Sequence, residues 1–126
     1  MRNPKPILAV AIGFMLLVVV LSQGCAHQEF RTNAYKTLAA GAAIYESGYP
    51  AFLELHQKGL ISDAQKATGK ELAIKYWAAY HGAVNALILY DTVQSTENEA
   101  RVKATLQEAA RFLSELSAYI QPFLRR

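Results

Sequence analysis

The residues in this chain able to do chemistry are few and widely spaced. There is one cysteine, Cys25, and there are three histidines, His27, His56 and His81. A bound zinc ion needs three or four Cys, His or carboxylate ligands converging on one point. On the helical reading developed below, His56 and His81 stand ~24 Å apart at ~1.5 Å rise per residue. No metal site and no cofactor is expected from them. A nucleophile needs a base within hydrogen-bond reach and a third group to orient that base. No serine or threonine has a histidine and a carboxylate at such a spacing, and neither a Gly-rich phosphate loop nor an EF-hand loop is present. No enzymatic activity is expected. What remains are two surfaces suited to contact. Lys58, Lys66, Lys70, Arg125 and Arg126, with His56, fall at one end of the expected fold. They read as a solvated helix end or as a patch for an anionic partner such as peptidoglycan carboxylates. Four of the seven tyrosines, Tyr45, Tyr49, Tyr76 and Tyr80, fall across one helix–helix seam. Such rings either fill a core with their hydroxyls at the rim, or present a face for self-association or a protein partner.

Composition sets the frame. A chain of 126 residues with 52% apolar and 18% charged content can bury one core. The net charge is +3, from 13 basic and 10 acidic residues. Arg2 and Lys5 lie before the first apolar run, and without them the balance is 11 against 10. Nucleic-acid binders concentrate Lys and Arg on one face to displace phosphate counterions. No such stripe exists here, and no nucleic-acid partner is expected.

Cys25 takes its meaning from what precedes it. Arg2 and Lys5 are followed by fifteen apolar or Gly residues, positions 7–21, then Ser22, Gln23 and Gly24. As a helix that run spans ~22 Å, short of the ~30 Å hydrocarbon core of a bilayer. The order of charged, apolar and small residues is that of a secretory signal. Gly24-Cys25 after such a run resembles the lipobox of bacterial lipoprotein precursors. Ser22 and Gln23 stand where that pattern has Leu and then Ala or Ser, and Leu21 lies one place early. The resemblance implies a signal peptide over 1–24, cleavage before Cys25, a diacylglycerol on its thiol and a fatty acid on its new amine. It also implies, from Ala26 rather than Asp, sorting to the outer membrane with the body facing the periplasm. Two or three acyl chains hold a protein stably on a membrane where one does not. The alternative is an inner-membrane assembly subunit that retains residues 7–21 as a single span. The body is also similar to small helical lipoproteins of bacterial and prophage genomes through AYKTL, GLISDAQK and AYHGAVNAL. That similarity covers about half the chain, implies no activity, and leaves a phage-related role in lysis or exclusion open.

The elements that must position these residues are helical, because apolar residues recur at steps of three and four. Residues 25–29 read as a lipidated tether and 30–126 as an all-α, antiparallel three-helix bundle. Helix 1 is expected from about His27 to Gln57, with Gly48 and Pro50 predicting a kink or a break near Pro50. KGLISDAQ reads as a turn, with Gly59 past a helix end and Ser62 and Gln65 as a capping box. Helix 2 runs to about Val93. Thr96 with Glu99 opens helix 3, which is expected to stop near Gln121 before Pro122. Helix 2 carries two adjacent apolar stripes, one through Tyr76, Ala83 and Leu87, the other through Trp77, Val84 and Ile88. It therefore reads as the central helix, with Trp77 buried level with Gly41–Ile44 and with Ala109.

Overall fold

The computed structural model describes the backbone of residues 5–125 and the side chains of residues 27–125. Its elements are α1 (Lys5–Gln57), α2 (Asp63–Thr92) and α3 (Thr96–Leu124). By internal contacts the chain divides into two units, Met1–Asn33 and Ala34–Arg126. The first unit contains the opening of α1. The second contains the rest of α1 with α2 and α3 and is a three-helix bundle.

The helix ends follow from local hydrogen bonding. After α1, Gly59 adopts φ +72°, a conformation that costs glycine nothing. Its N–H donates to the His56 carbonyl at 3.0 Å, and that of Leu60 to Leu55 at 2.9 Å, which satisfies two orphan carbonyls of the last turn. Ser62 caps α2 as expected: its hydroxyl accepts from the Gln65 N–H at 3.1 Å, while its own N–H donates to Gln65 Oε1 at 2.8 Å. The cap of α3 lies one residue earlier than expected. Ser95, not Thr96, accepts from the Asn98 N–H at 3.1 Å. The shift is fixed by Asn98, a buried polar residue whose Nδ2 donates to the Val93 carbonyl at 2.8 Å.

Both prolines lie inside helices rather than at their ends. α1 continues through Pro50 without a break, and α3 continues through Pro122 to Leu124. Each proline removes one backbone donor. Packing on either side outweighs that loss, since Phe52 is fully buried and Tyr49, Phe123 and Leu124 lie against the same core cluster. α1 also starts well before His27, so the segment 25–29, expected as a tether, is helical.

The antiparallel course is visible in pairs whose numbers rise on one helix as they fall on the other. Tyr35 donates to Asp91 at 2.8 Å, Tyr45 and Tyr76 rings lie 5.3 Å apart, and Phe52 lies over Gly69. Tyr119 on α3 donates to the Gln65 carbonyl at 3.3 Å, with Phe52 beside it at 6.1 Å. α1 and α2 approach closely at Gly69, where a Cβ would come within 2.8 Å of Phe52 Cζ and nearer still to Cε1.

The axial level expected for Trp77 is correct, but the face is not. Tyr76, 2% exposed, points inward, with its hydroxyl 3.1 Å from where a Cβ on Gly41 would stand. Trp77, the next residue, is rotated by about 100° around the helix and is 42% exposed. Two neighbouring helices on one side of α2 fill only the stripe through Tyr76, Ala83 and Leu87. The outer edge of the second stripe therefore stays wet, with Ile74 and Ile88 more than half exposed.

Candidate functional site

The structure divides the expected contact residues between two places. Tyr45 and Tyr49 lie on the seam where α1 meets α2, and Lys70, expected at the basic end, lies there with them. Together with Ala73, Ile74 and Trp77 they line an open cleft of about 370 Å³. The seam is built as a ladder of rings. Tyr49 stacks on Tyr45 with centroids 5.4 Å apart, Tyr45 on Trp77 at 5.5 Å, and Trp77 on Tyr80 at 5.2 Å. His81 meets Trp77 edge-on at 4.8 Å. Because Trp77 stacks on two tyrosines, much of its ring surface is already engaged, and its exposed part acts as an apolar edge.

These phenols are protonated at neutral pH, and burial raises their pKa further. It pushes the Tyr45 hydroxyl above its ordinary value, and for Tyr49 burial is reinforced by Tyr45. The Tyr76 hydroxyl is pushed up to about 12, by burial first and then by Tyr80, Tyr45 and Glu46. At neutral pH the seam thus offers neutral hydrogen-bond donors and apolar area, with Lys70 as its cation. Lys70 has no ion pair among the described residues.

The basic end is less open than its sequence implies. Lys58 pairs with Glu54 at 3.1 Å within α1. His56 Nε2 contacts Asp63 Oδ1 at 2.6 Å, across the turn. That bond holds the Asp63 carboxyl below its ordinary value, with His56 charge next and Lys66 adding a smaller pull. Lys66 is half-buried and Arg125 is an exposed residue closing α3, while Arg126 lies outside the described residues. Levelling α1 against α2 by folding about the Gly59 turn predicts Glu54 beside Lys66 and Glu46 beside Lys75, but Glu54 takes Lys58 within α1 and Lys75 takes Glu71 within α2 at 3.8 Å. On α3 the i,i+4 spacing of Glu97 with Arg101 and of Glu99 with Lys103 predicts two ion pairs, and both form, at 2.9 Å and 3.2 Å.

The side chains of Cys25 and of residues 7–21 lie outside the described residues. Among the described residues, no helix is long and apolar enough to cross a membrane and no three metal-ligating groups cluster.

Sequence reasoning missed the length of the exposed stripe on α2. Lys70, Ile74, Trp77, His81 and Ile88 are exposed and, with the half-buried Val84 and Asp91, follow one another at steps of four and three. That is the spacing of a helix–helix seam, and it was readable once Tyr76 rather than Trp77 is placed inside. The chain matches no family model, no curated protein and no solved structure.

Proposed function

We propose that this chain is a lipid-anchored, non-enzymatic binding module that associates through the α1/α2 seam with a second copy of itself. The observation that carries the contact surface is the stripe on α2: Ile74 is 59% exposed, Trp77 42% and Ile88 56%, at the spacing by which one helix seats on another. Single exposed apolar residues are ordinary on a protein surface, whereas a contiguous row flanked by an aromatic cleft marks a contact face. A row of this kind is self-complementary, as a two-fold interface requires. Ile74 and Ile88 stand seven residues to either side of His81, so an antiparallel pairing centred there sets Ile74 against Ile88 of the second copy and keeps the two exposed Lys70 side chains apart, whereas a parallel pairing would set Lys70 against Lys70.

The anchor is supported by the sequence alone. Charged residues, a 15-residue apolar run and Gly24-Cys25 fit a signal peptide followed by a lipidated cysteine. Diacylglycerol and a fatty acid on Cys25, with the body on the periplasmic side of the outer membrane, follow from the lipobox resemblance. Anchorage raises the local concentration of copies on one surface, which lets a modest apolar stripe suffice for association. Peptidoglycan is the weaker partner on this reading, because Lys58 is already paired with Glu54 and Lys66 lies beside Asp63.

The test is disulfide trapping in membranes that carry two tagged copies, one Ile74→Cys and the other Ile88→Cys. Cross-linking between the two variants and not within either is the expected result. Absence of any cross-link, with both variants folded and present in the membrane, contradicts the seam as the interface.

A further inference from the structure

On the side of α1 away from this seam, α1 and α3 leave a second groove, of about 310 Å³. Its walls are Leu38 and Ile44 from α1 and Leu106 and Leu113 from α3. It stays open because Gly41, Ala109 and Ala110 stand where larger side chains would close it. It spans positions 37–44 on one helix and 106–113 on the other, which is ~10 Å along the helix axes at ~1.5 Å per residue. A groove with these proportions fits a linear aliphatic group better than a broad ring.

A row of small residues alone would be only a packing gap. Here a polar atom is aimed into it. Tyr76 is 2% exposed and lines the groove floor, with its hydroxyl beside Gly41. This hydroxyl makes no hydrogen bond among the described residues. The ring is buried while the hydroxyl opens onto the groove, so an acceptor seated there takes the hydrogen bond that water otherwise takes. A phenol donates more strongly than it accepts, so the complementary group is an acceptor. Thr37 and Tyr76 are the only polar residues of the lining, and an anion placed there would lose its hydration without a cation in return. A neutral carbonyl is the acceptor that fits.

We propose that this groove binds an acyl chain through its ester or amide carbonyl, which accepts a hydrogen bond from the Tyr76 hydroxyl while Leu38, Leu106 and Leu113 cover the methylenes. The groove and the seam cleft share no lining residue, although the Tyr76 ring packs on Tyr45 of the seam at 5.3 Å. A membrane phospholipid and a free ester carry the same chemistry, and the experiment separates them.

The full chain in phosphatidylcholine vesicles is irradiated with two probes bearing one diazirine-labelled decanoyl group, as a methyl ester or as the acyl chain of a phosphatidylcholine. Labelled residues are mapped by tandem mass spectrometry, with the corresponding free acid at pH 7 as the charged control. Label concentrated in 37–44 and 106–113 with either ester, and weaker with the acid, is the expected result. Label from the phospholipid probe identifies a membrane source, and label from the methyl ester alone a free one. Tyr76→Phe keeps the ring and should cut labelling about 2- to 10-fold, the loss of one neutral hydrogen bond. Ala110→Phe fills the groove from an exposed position and should abolish groove labelling while circular dichroism stays unchanged. Label spread evenly over the surface, or equal labelling of wild type and both variants, overturns the proposal.

Discussion

Gly69→Ala is the most direct probe of how α1 and α2 meet. In an exposed helix interior, alanine replaces glycine with a gain of about 1 kcal/mol. At Gly69 the new methyl would stand 2.8 Å from Phe52 Cζ and 3.2 Å from Cδ1, well inside van der Waals contact. The ring has little room to swing away. Phe52 is fully buried, and its centroid lies 6.4 Å from Tyr49, 6.1 Å from Tyr119 and 5.9 Å from Phe123. Overpacking of this kind costs about 1–3 kcal/mol, so the net effect is a loss of up to about 2 kcal/mol after the propensity gain. Gly82 supplies the control on the same helix. A Cβ there meets nothing within 4 Å, and Gly82→Ala should gain about 0.5–1 kcal/mol. Urea unfolding of the two variants should therefore place their midpoints on opposite sides of wild type. In a bundle of this size each kcal/mol corresponds to roughly 4–8 °C in Tm. Phe52→Leu should restore part of the loss when combined with Gly69→Ala, because the two sites share one space. Equal stability of Gly69→Ala and Gly82→Ala would refute the close approach.

Ser95→Ala should lose about 1 kcal/mol, since it removes the acceptor for the Asn98 N–H, whereas Thr96→Ala should be near neutral. Thermal denaturation distinguishes them, and the reverse order would return the cap to Thr96. Stability should fall as pH rises from 10 towards about 12, because the buried Tyr76 phenol resists ionisation in the fold and not in the unfolded chain. Its contribution is complete below pH 10 and is lost as pH passes through the raised value. Tyr76→Phe should reduce that alkaline loss in a pH series followed by circular dichroism, leaving the part due to the other raised phenols, Tyr45, Tyr49 and Tyr90. Asp63 should titrate below 3.8 by carboxyl carbon NMR, and His56→Ala should bring it back up, since the His56 bond is the largest cause of the shift. Any stability from this contact is present above the ordinary aspartate value and fades as pH falls through the lowered one.

Much of the bundle was legible in the sequence where short-range chemistry decides. Gly59, Ser62 and Gln65 specify the first turn by themselves, because every partner lies within a few residues. The second turn offered two adjacent hydroxyls, and the choice of Ser95 depends on the Asn98 bond to Val93, a contact with no sequence signature. Pro50 and Pro122 show local rules losing to packing, since the rings and side chains flanking them are held in the core. The level of Trp77 along the bundle was readable by folding the chain about each turn. Its face was not, because Tyr76 and Trp77 belong to adjacent apolar stripes and only the positions of α1 and α3 decide between them. Tyr45 and Tyr49 could be placed on a seam from their spacing. The groove above the Tyr76 hydroxyl depends on three helices at once and was invisible before they were assembled.

Anchorage through Cys25 is the claim on which the proposed module depends, and intact mass spectrometry of the chain extracted from bacterial membranes tests it most directly. The predicted mass is that of residues 25–126 carrying a thioether-linked diacylglycerol and an amide-linked fatty acid. In Cys25→Ser both modifications should be lost and residues 1–24 retained. An unmodified chain of 126 residues from the membrane fraction, identical in behaviour to its Cys25→Ser variant, would contradict lipid anchorage.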